Sequence, residues 1–318
     1  MSIAVCLGGL KLKNPVLVAS GTFGYTEEFK GFVDLNKIGA VISKTITLEP
    51  RQGNAPPRVV ETPSGMLNSI GLENDGVKHF IVEKLPFLRK LKTQVIASIA
   101  GARAAEYAEL AKRLDAAGVL AVELNLSCPN LKSHQSPVIP WRAQASHQKN
   151  NQLISQDKKA TYGVVKAARK MTKGVIIAKL TPNVTDIAEI AKAAEDAGAD
   201  SVSLVNTFLA MSIDVNSRRP KLGNITGGLS GPAIKPIALR MVWEAAQKVK
   251  IPVIGIGGIM TAEDALEFII AGATAVEVGT ANFINPRVSI EIIEGIKGYI
   301  RKHKISNIKN LIGSIEIQ

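Results

Sequence analysis

Cysteine is scarce in this chain: 318 residues hold two, Cys6 and Cys128. Two thiols so far apart do not suggest a disulfide framework; they suit a reducing cytosol. Aromatic residues are only 4% of the chain. With no long basic run, that composition argues against a nucleic-acid binder. No basic n-region with an apolar h-region precedes residue 16, so no signal peptide is expected. No apolar run approaches the ~20 residues that span a bilayer. The four histidines, His79, His134, His147 and His303, have no metal-ligand spacing, so no metal is expected. Acidic residues are outnumbered, 27 Asp and Glu against 39 Lys and Arg, giving a net charge of +12. The basic residues are spread over many segments, which reads as a solvated surface. A cytoplasmic protein with no membrane and no nucleic-acid partner is the expectation.

What is present is aliphatic residues and glycine, 27 of the latter. That suits a parallel sheet wrapped in Ala-rich helices. After an N-terminal hairpin at residues 3–13, eight short apolar runs read as strands: 16–19, 40–43, 94–99, 120–126, 174–180, 201–205, 252–256 and 274–278. Helices are expected over 27–36, 77–91 with a break near Pro86, 104–117, 157–171, 185–197 with Thr185 as N-cap, 234–249, 261–271 and 286–302. Residues 49–71, rich in Pro and Gly, read as a loop, and 213–222 as a small hairpin. Eight strand–helix units imply a (β/α)8 TIM barrel, with the N-terminal hairpin and insertions at the C-terminal rim. An open doubly wound sheet is the alternative. The strand ends favour the barrel, because each finishes in Ser, Lys, Thr, Asn, Cys or paired Gly above an apolar body.

The most informative strand end is Val122-Glu123-Leu124-Asn125-Leu126-Ser127-Cys128-Pro129-Asn130. Pro129 cannot donate to a sheet ladder, so the strand stops and leaves a thiol among polar neighbours. Cys128 is then a nucleophile, an acid/base or a bystander; an unperturbed thiol has a pKa near ~8.5. Lys44 and Lys179 sit where strands leave the core, where an unpaired ammonium is costly. Gly257-Gly258 and Gly279-Thr280 close the last two strands, where barrels often bind phosphate. Glycine there lets backbone N–H groups approach phosphate oxygens.

Eight motifs together carry a resemblance. They are Ser-Gly-Thr-Phe-Gly-Tyr (20–25), Ser-Lys-Thr (43–45), Asn-Ser-Ile-Gly-Leu (68–72), Asn-Leu-Ser-Cys-Pro-Asn (125–130), Lys-Leu-Thr-Pro-Asn-Val-Thr-Asp-Ile (179–187), Val-Asn-Thr (205–207), Gly-Gly-Leu-Ser-Gly-Pro-Ala-Ile-Lys-Pro (227–236) and Val-Gly-Thr-Ala-Asn-Phe (278–283). The chain resembles the class 1 dihydroorotate dehydrogenases, and more closely the catalytic subunits of the B type. The resemblance implies one FMN-binding barrel domain over 1–318. It implies oxidation of dihydroorotate to orotate in pyrimidine biosynthesis, with Cys128 as the base. Lys44, Asn68, Ser69, Ile70, Gly71, Leu72, Asn125, Asn206 and Thr207 would hold the substrate. Ser20, Lys44, Thr45, Ser98, Asn125, Lys179, Val205, Gly231, Gly257, Gly258, Gly279 and Thr280 would hold FMN. A homodimer core within a heterotetramer would pass electrons to NAD through a partner subunit carrying FAD and a [2Fe-2S] cluster. This chain has no cysteine set for such a cluster.

Two features depart from the family pattern. Ser98 stands where the family has Asn, leaving a shorter hydroxyl to reach the flavin through water. Residues 131–159 replace a short glycine-rich lid with a longer, Gly-free segment containing Trp141. This reads as a surface insertion, with Trp141 over the site mouth or on a partner subunit as the sharper alternative. The rival functions are an A-type, fumarate-reducing enzyme and a flavin-binding scaffold of weakened activity.

Overall fold

The computed structural model describes residues 1–126 and 153–317. A hairpin of β1 (Val5–Leu7) and β2 (Leu10–Leu12) leads into β3 (Val16–Val18) and β4 (Ala40–Ile42). A second hairpin, β5 (Val59–Thr62) and β6 (Gly65–Asn68), follows. Next come β7 (Gln94–Ile99), α1 (Ala104–Ala116), β8 (Ala121–Asn125), α2 (Lys158–Arg169), β9 (Val175–Lys179), α3 (Ile187–Asp196) and β10 (Ser201–Leu204). Four short strands, β11 (Phe208–Met211), β12 (Ile213–Asp214), β13 (Arg219–Pro220) and β14 (Thr226–Ser230), precede α4 (Lys235–Lys248). The chain finishes with β15 (Val253–Ile256), α5 (Ala262–Ala271), β16 (Ala275–Val278) and α6 (Val288–Lys302).

β3, β4, β7, β8, β9, β10, β15 and β16 close into a parallel barrel, each bonded to the next and β16 back to β3. These are the eight apolar runs of the sequence, and the fold is the expected (β/α)8 barrel. Their bodies are buried on both faces, which is why they read as continuous apolar runs rather than alternating ones. The helices supply the complementary stripe. In α2, Thr161, Val164, Val165 and Ala168 are buried, and α3 repeats the spacing with Ile187, Ile190, Ala191 and Ala194. Gly255 of β15 has no side chain for a packing reason. A Cβ there would lie 2.5 Å from the ring of Phe268, which is fully buried on α5.

The N-terminal hairpin covers the end of the barrel where strands begin. Gly8 lies against Asp200, just before β10, and Gly9 against Val175 at the start of β9. The opposite, C-terminal end carries a four-stranded antiparallel sheet in the order β11-β14-β6-β5. This corrects the loop expected over 49–71, which contains β5 and β6. β6 pairs locally with β5 and, on its other edge, with β14 far along the chain, and that distant pairing builds the hairpin into a sheet.

Other local expectations also change. Residues 27–36 form two 3₁₀ turns, Glu27–Phe29 and Leu35–Lys37, rather than a helix. Asp34 accepts from Asn36 N and opens a fresh turn, while Gly31 and the exposed Phe32 offer no helical stripe. Residues 76–88 are helical throughout but pass through a π turn at Phe80–Lys84, just before Pro86, which has no N–H to donate backward. The cap of α3 is Asp186, whose side chain accepts from Glu189 N, and not Thr185. Among the described residues no helix is long and apolar enough to cross a membrane. Asp186→Ala should lower stability by about 1 kcal/mol in a thermal or urea melt. Thr185→Ala should leave the midpoint nearly unchanged, and the reverse order would restore Thr185 as the cap.

Candidate functional site

The cavity at the C-terminal end of the barrel is about 230 Å³. Its floor comes from barrel strand ends: Ser20, Lys44, Thr45, Asn125, Lys179, Val205, Asn206 and Thr207. One wall comes from the antiparallel sheet and the turn after it, with Val59, Met66, Asn68, Ile70, Gly71 and Leu72. The other is glycine-rich, with Gly231, Gly257, Gly258, Gly279 and Thr280. So most of the residues expected from sequence, hundreds of positions apart, meet in one space. Two of them do not line it. Ser69 is fully buried, with its backbone N–H donated to Arg58 O at 2.7 Å. Ser98 lies one layer below the floor, because its partners are Thr45 and Glu123. Cys128 and Trp141 lie outside the described residues, as do 131–152 of the expected insertion. The rest of that segment is built into the barrel. Ser155 is buried and donates to Leu126 O at 3.1 Å, and Gln156 Nε2 donates to Asn183 O at 2.9 Å.

The floor is a chain of side-chain hydrogen bonds. Ser20 Oγ donates to Ser43 O at 2.8 Å and lies 3.0 Å from Thr45 Oγ1. Thr45 Oγ1 is 3.0 Å from Ser98 Oγ and accepts from Asn125 Nδ2 at 3.3 Å. Asn206 Nδ2 donates to Asn125 Oδ1 at 3.3 Å. The backbone of Asn125 is fixed in turn by Tyr107, whose hydroxyl donates to Asn125 O at 2.7 Å. Thr207 can face the site because Gly228 leaves room: a Cβ on Gly228 would lie 2.0 Å from Thr207 Oγ1. Lys44 lines the cavity and makes no ion pair among the described residues.

Beneath the floor lies a charged cluster that the sequence reading missed. Lys179 Nζ is 3.2 Å from Glu277 Oε2 and 3.6 Å from Glu123 Oε1. The carboxylate side chains are 0% exposed and the lysine side chain 6%. Glu123 also accepts from Ser98 Oγ at 3.3 Å and Ser203 Oγ at 3.1 Å. The registers explain the meeting. Ser98 pairs with Glu123, and Lys179 with both Asn125 and Ser203, so the period of two puts them all on the inner face. Burial alone would lower the Lys179 pKa, but the Glu123 and Glu277 side chains beside it outweigh that and hold it above the ordinary 10.5. Burial first, and the Glu123 carboxylate second, push Glu277 well above the ordinary 4.5 against the pull of Lys179. A carboxylate inside an otherwise apolar barrel strand was the available signal for both glutamates. Also missed were Gly21, Thr22, Met66, Glu73, Ser230 and Phe283 on the cavity wall.

Fold and site together define a (β/α)8 barrel whose C-terminal rim offers ammonium, amide, hydroxyl and glycine groups to a polar, anionic ligand. The chain belongs to the dihydroorotate dehydrogenase family, whose profile matches residues 2–300. It is 54% identical over 316 residues to the dihydroorotate dehydrogenase B (NAD(+)) catalytic subunit of Trichlorobacter lovleyi, covering 99% of both chains. It is 51% identical over 317 residues to that of a Thermoanaerobacter species, covering 100% of both. The Geobacter sulfurreducens subunit is 52% identical over 316 residues, covering 99% of this chain and 98% of that one.

Removing the cation should leave buried negative charge without its counterion. Lys179→Met should therefore cost about 3–5 kcal/mol in denaturant unfolding. A loss under about 1 kcal/mol would contradict the ion-pair geometry.

Proposed function

We propose that this chain is the catalytic subunit of an NAD-linked, B-type dihydroorotate dehydrogenase, oxidising dihydroorotate to orotate in pyrimidine biosynthesis. The observation that carries the reading is Lys44, an ammonium with no counterion among the described residues, in a cavity lined by Asn68, Asn125, Asn206 and Thr207. A pyrimidine carboxylate needs one cation for its charge and amides that both donate and accept along its ring. The full-length likeness to named B-type catalytic subunits supports the same conclusion.

The residues present fit FMN. On the glycine wall, a Cβ added to Gly279 would meet nothing closer than 3.7 Å, and one on Gly21 nothing within 4 Å. Backbone there stays open to a phosphate or ring edge. Thr280 Oγ1 donates to Ser230 Oγ at 2.8 Å on the same wall. Gly231, Gly257, Gly258, Gly279 and Thr280 would hold the phosphate end, and Ser20, Thr45, Asn125, Lys179 and Val205 the ring. When bound, FMN supplies the hydride acceptor. Cys128 removes the acidic proton from the ring carbon beside a carbonyl of dihydroorotate. Lys44 offsets the substrate carboxylate, and the asparagine amides fix the plane of the pyrimidine. Lys179 would offer positive charge to the flavin ring. A partner subunit carrying FAD and a [2Fe-2S] cluster would pass the electrons to NAD, in a cytoplasmic heterotetramer built on a homodimer of this chain.

Cys128→Ala should retain bound FMN while turnover falls by about 10²–10⁴-fold, the usual worth of a positioned base. The assay is dihydroorotate-dependent reduction of NAD with the partner subunit present. Unchanged turnover would remove Cys128 as the base. Equal turnover with fumarate and no partner would contradict the B-type assignment.

A further inference from the structure

The barrel interior holds two carboxyl groups and one ammonium, and a single cation balances only one anion. The two carboxyls are not equivalent. Glu123 has the ammonium at 3.6 Å and accepts from two serine hydroxyls, Ser98 and Ser203. Glu277 has no hydroxyl donor: its Oε2 lies 3.2 Å from the ammonium, its buried Oε1 has no hydrogen-bond partner among the described residues, and its other side-chain interaction is with the Glu123 carboxyl. The strands on either side of Glu277 place Ile256 and Leu17 beside it, so no second cation approaches from β15 or β3. Among the described residues, the other polar groups on the inner face of these strands are Gln94, Ser98, Ser201, Ser203 and Asn125, none of them charged.

We propose that the two carboxyls hold one proton between them, resident on Glu277, so that Glu123, Lys179 and Glu277 form a charge-neutral unit that sets the charge Lys179 presents to the flavin. This rests on the FMN reading above and adds a role for two residues that touch neither substrate nor cofactor cavity. Glu123 accepts from two hydroxyls and Glu277 from none, and a buried carboxyl without such donors is the better place for the shared proton. Burial and the neighbouring Glu123 carboxylate raise the Glu277 pKa in the same sense. Glu123 and Glu277 are positioning residues. They keep the lysine ammonium charged and in place, and they cap its net field with one negative charge and not two. Either glutamate can serve as that one counterion if the other is lost, because Glu277 ionises once Glu123 is gone.

The raised pKa of Glu277 also fixes a pH dependence. The native chain keeps a proton that the unfolded chain releases near pH 4.5, so this stabilisation is complete below that pH. It is lost as pH rises toward the native pKa. Relative to Glu277→Gln, the wild type should therefore lose stability as pH increases.

The test is a double-mutant cycle on the FMN-loaded protein, read as the flavin midpoint potential by spectroelectrochemistry. Glu123→Gln and Glu277→Gln should each leave the potential near the wild-type value. The double variant, with Lys179 uncompensated, should shift it positive by far more than the sum of the two. Equal positive shifts in both single variants, adding in the double, would mean both carboxyls are ionised and would overturn the proposal. An independent readout needs no flavin. The infrared difference between wild type and Glu277→Gln should contain the carbonyl stretch of a protonated acid. Its absence would overturn the proton assignment while leaving the FMN reading intact. Failure of the protein to take up FMN would instead refute the reading on which the flavin role depends.

Discussion

The ion pair between Lys179 and the two buried glutamates is the constraint on which the site depends. An ammonium and carboxyl groups inside a closed barrel are expensive to desolvate unless geometry and hydrogen bonds compensate them. The barrel supplies that geometry through its registers, which put Glu123, Lys179 and Glu277 on the inner face of β8, β9 and β16. Ser98 and Ser203 satisfy Glu123. Ser98 then joins the cluster to Thr45, Ser20 and Asn125 above it. The floor of the cavity is thus held by a network that begins in charge balance one layer down.

The walls have a different origin. Asn68 and Thr207 belong to segments far apart in the chain, and they meet because β6 and β11 both pair with β14. The antiparallel sheet brings a substrate-side wall down beside the glycine wall of β15 and β16. A tight turn continues it: Gly71 has φ +78° and Leu72 +57°. A left-handed leucine is a strained conformation, of the kind that persists where the surroundings hold it in place. Here it shapes the edge of the cavity that Ile70, Gly71 and Leu72 line. The segment entering α2 adds a brace from below, through Ser155 against Leu126 and Gln156 against Asn183.

Much of the fold was legible because parallel strands and their helices carry strong local patterns. The eight barrel strands are continuous apolar runs, and α2, α3 and α4 show clear stripes. The polar strand ends marked the rim, and Lys44, Asn125, Lys179 and Asn206 do face one cavity. What was illegible depended on distant partners. β5 and β6 look like a Pro-Gly loop until β14 pairs with β6. The 27–36 helix failed because Asp34 caps a new turn instead of continuing the old one. Asp186 outcompeted Thr185 as a cap, although both can accept an N–H. Glu123 and Glu277 were visible as charges in apolar strands, but only the barrel registers reveal that they share one lysine. Ser98 was assigned to the flavin by position, while the structure spends its hydroxyl on Thr45 and Glu123.

FMN held in this cavity would take its hydride from dihydroorotate. The most direct measurement is an anaerobic absorption spectrum of the FMN-loaded protein during titration with dihydroorotate. The account predicts that the yellow flavin bleaches, with orotate formed in proportion to the flavin reduced. A flavin spectrum that stays unchanged through the titration would contradict it and leave a flavin-binding barrel without this activity.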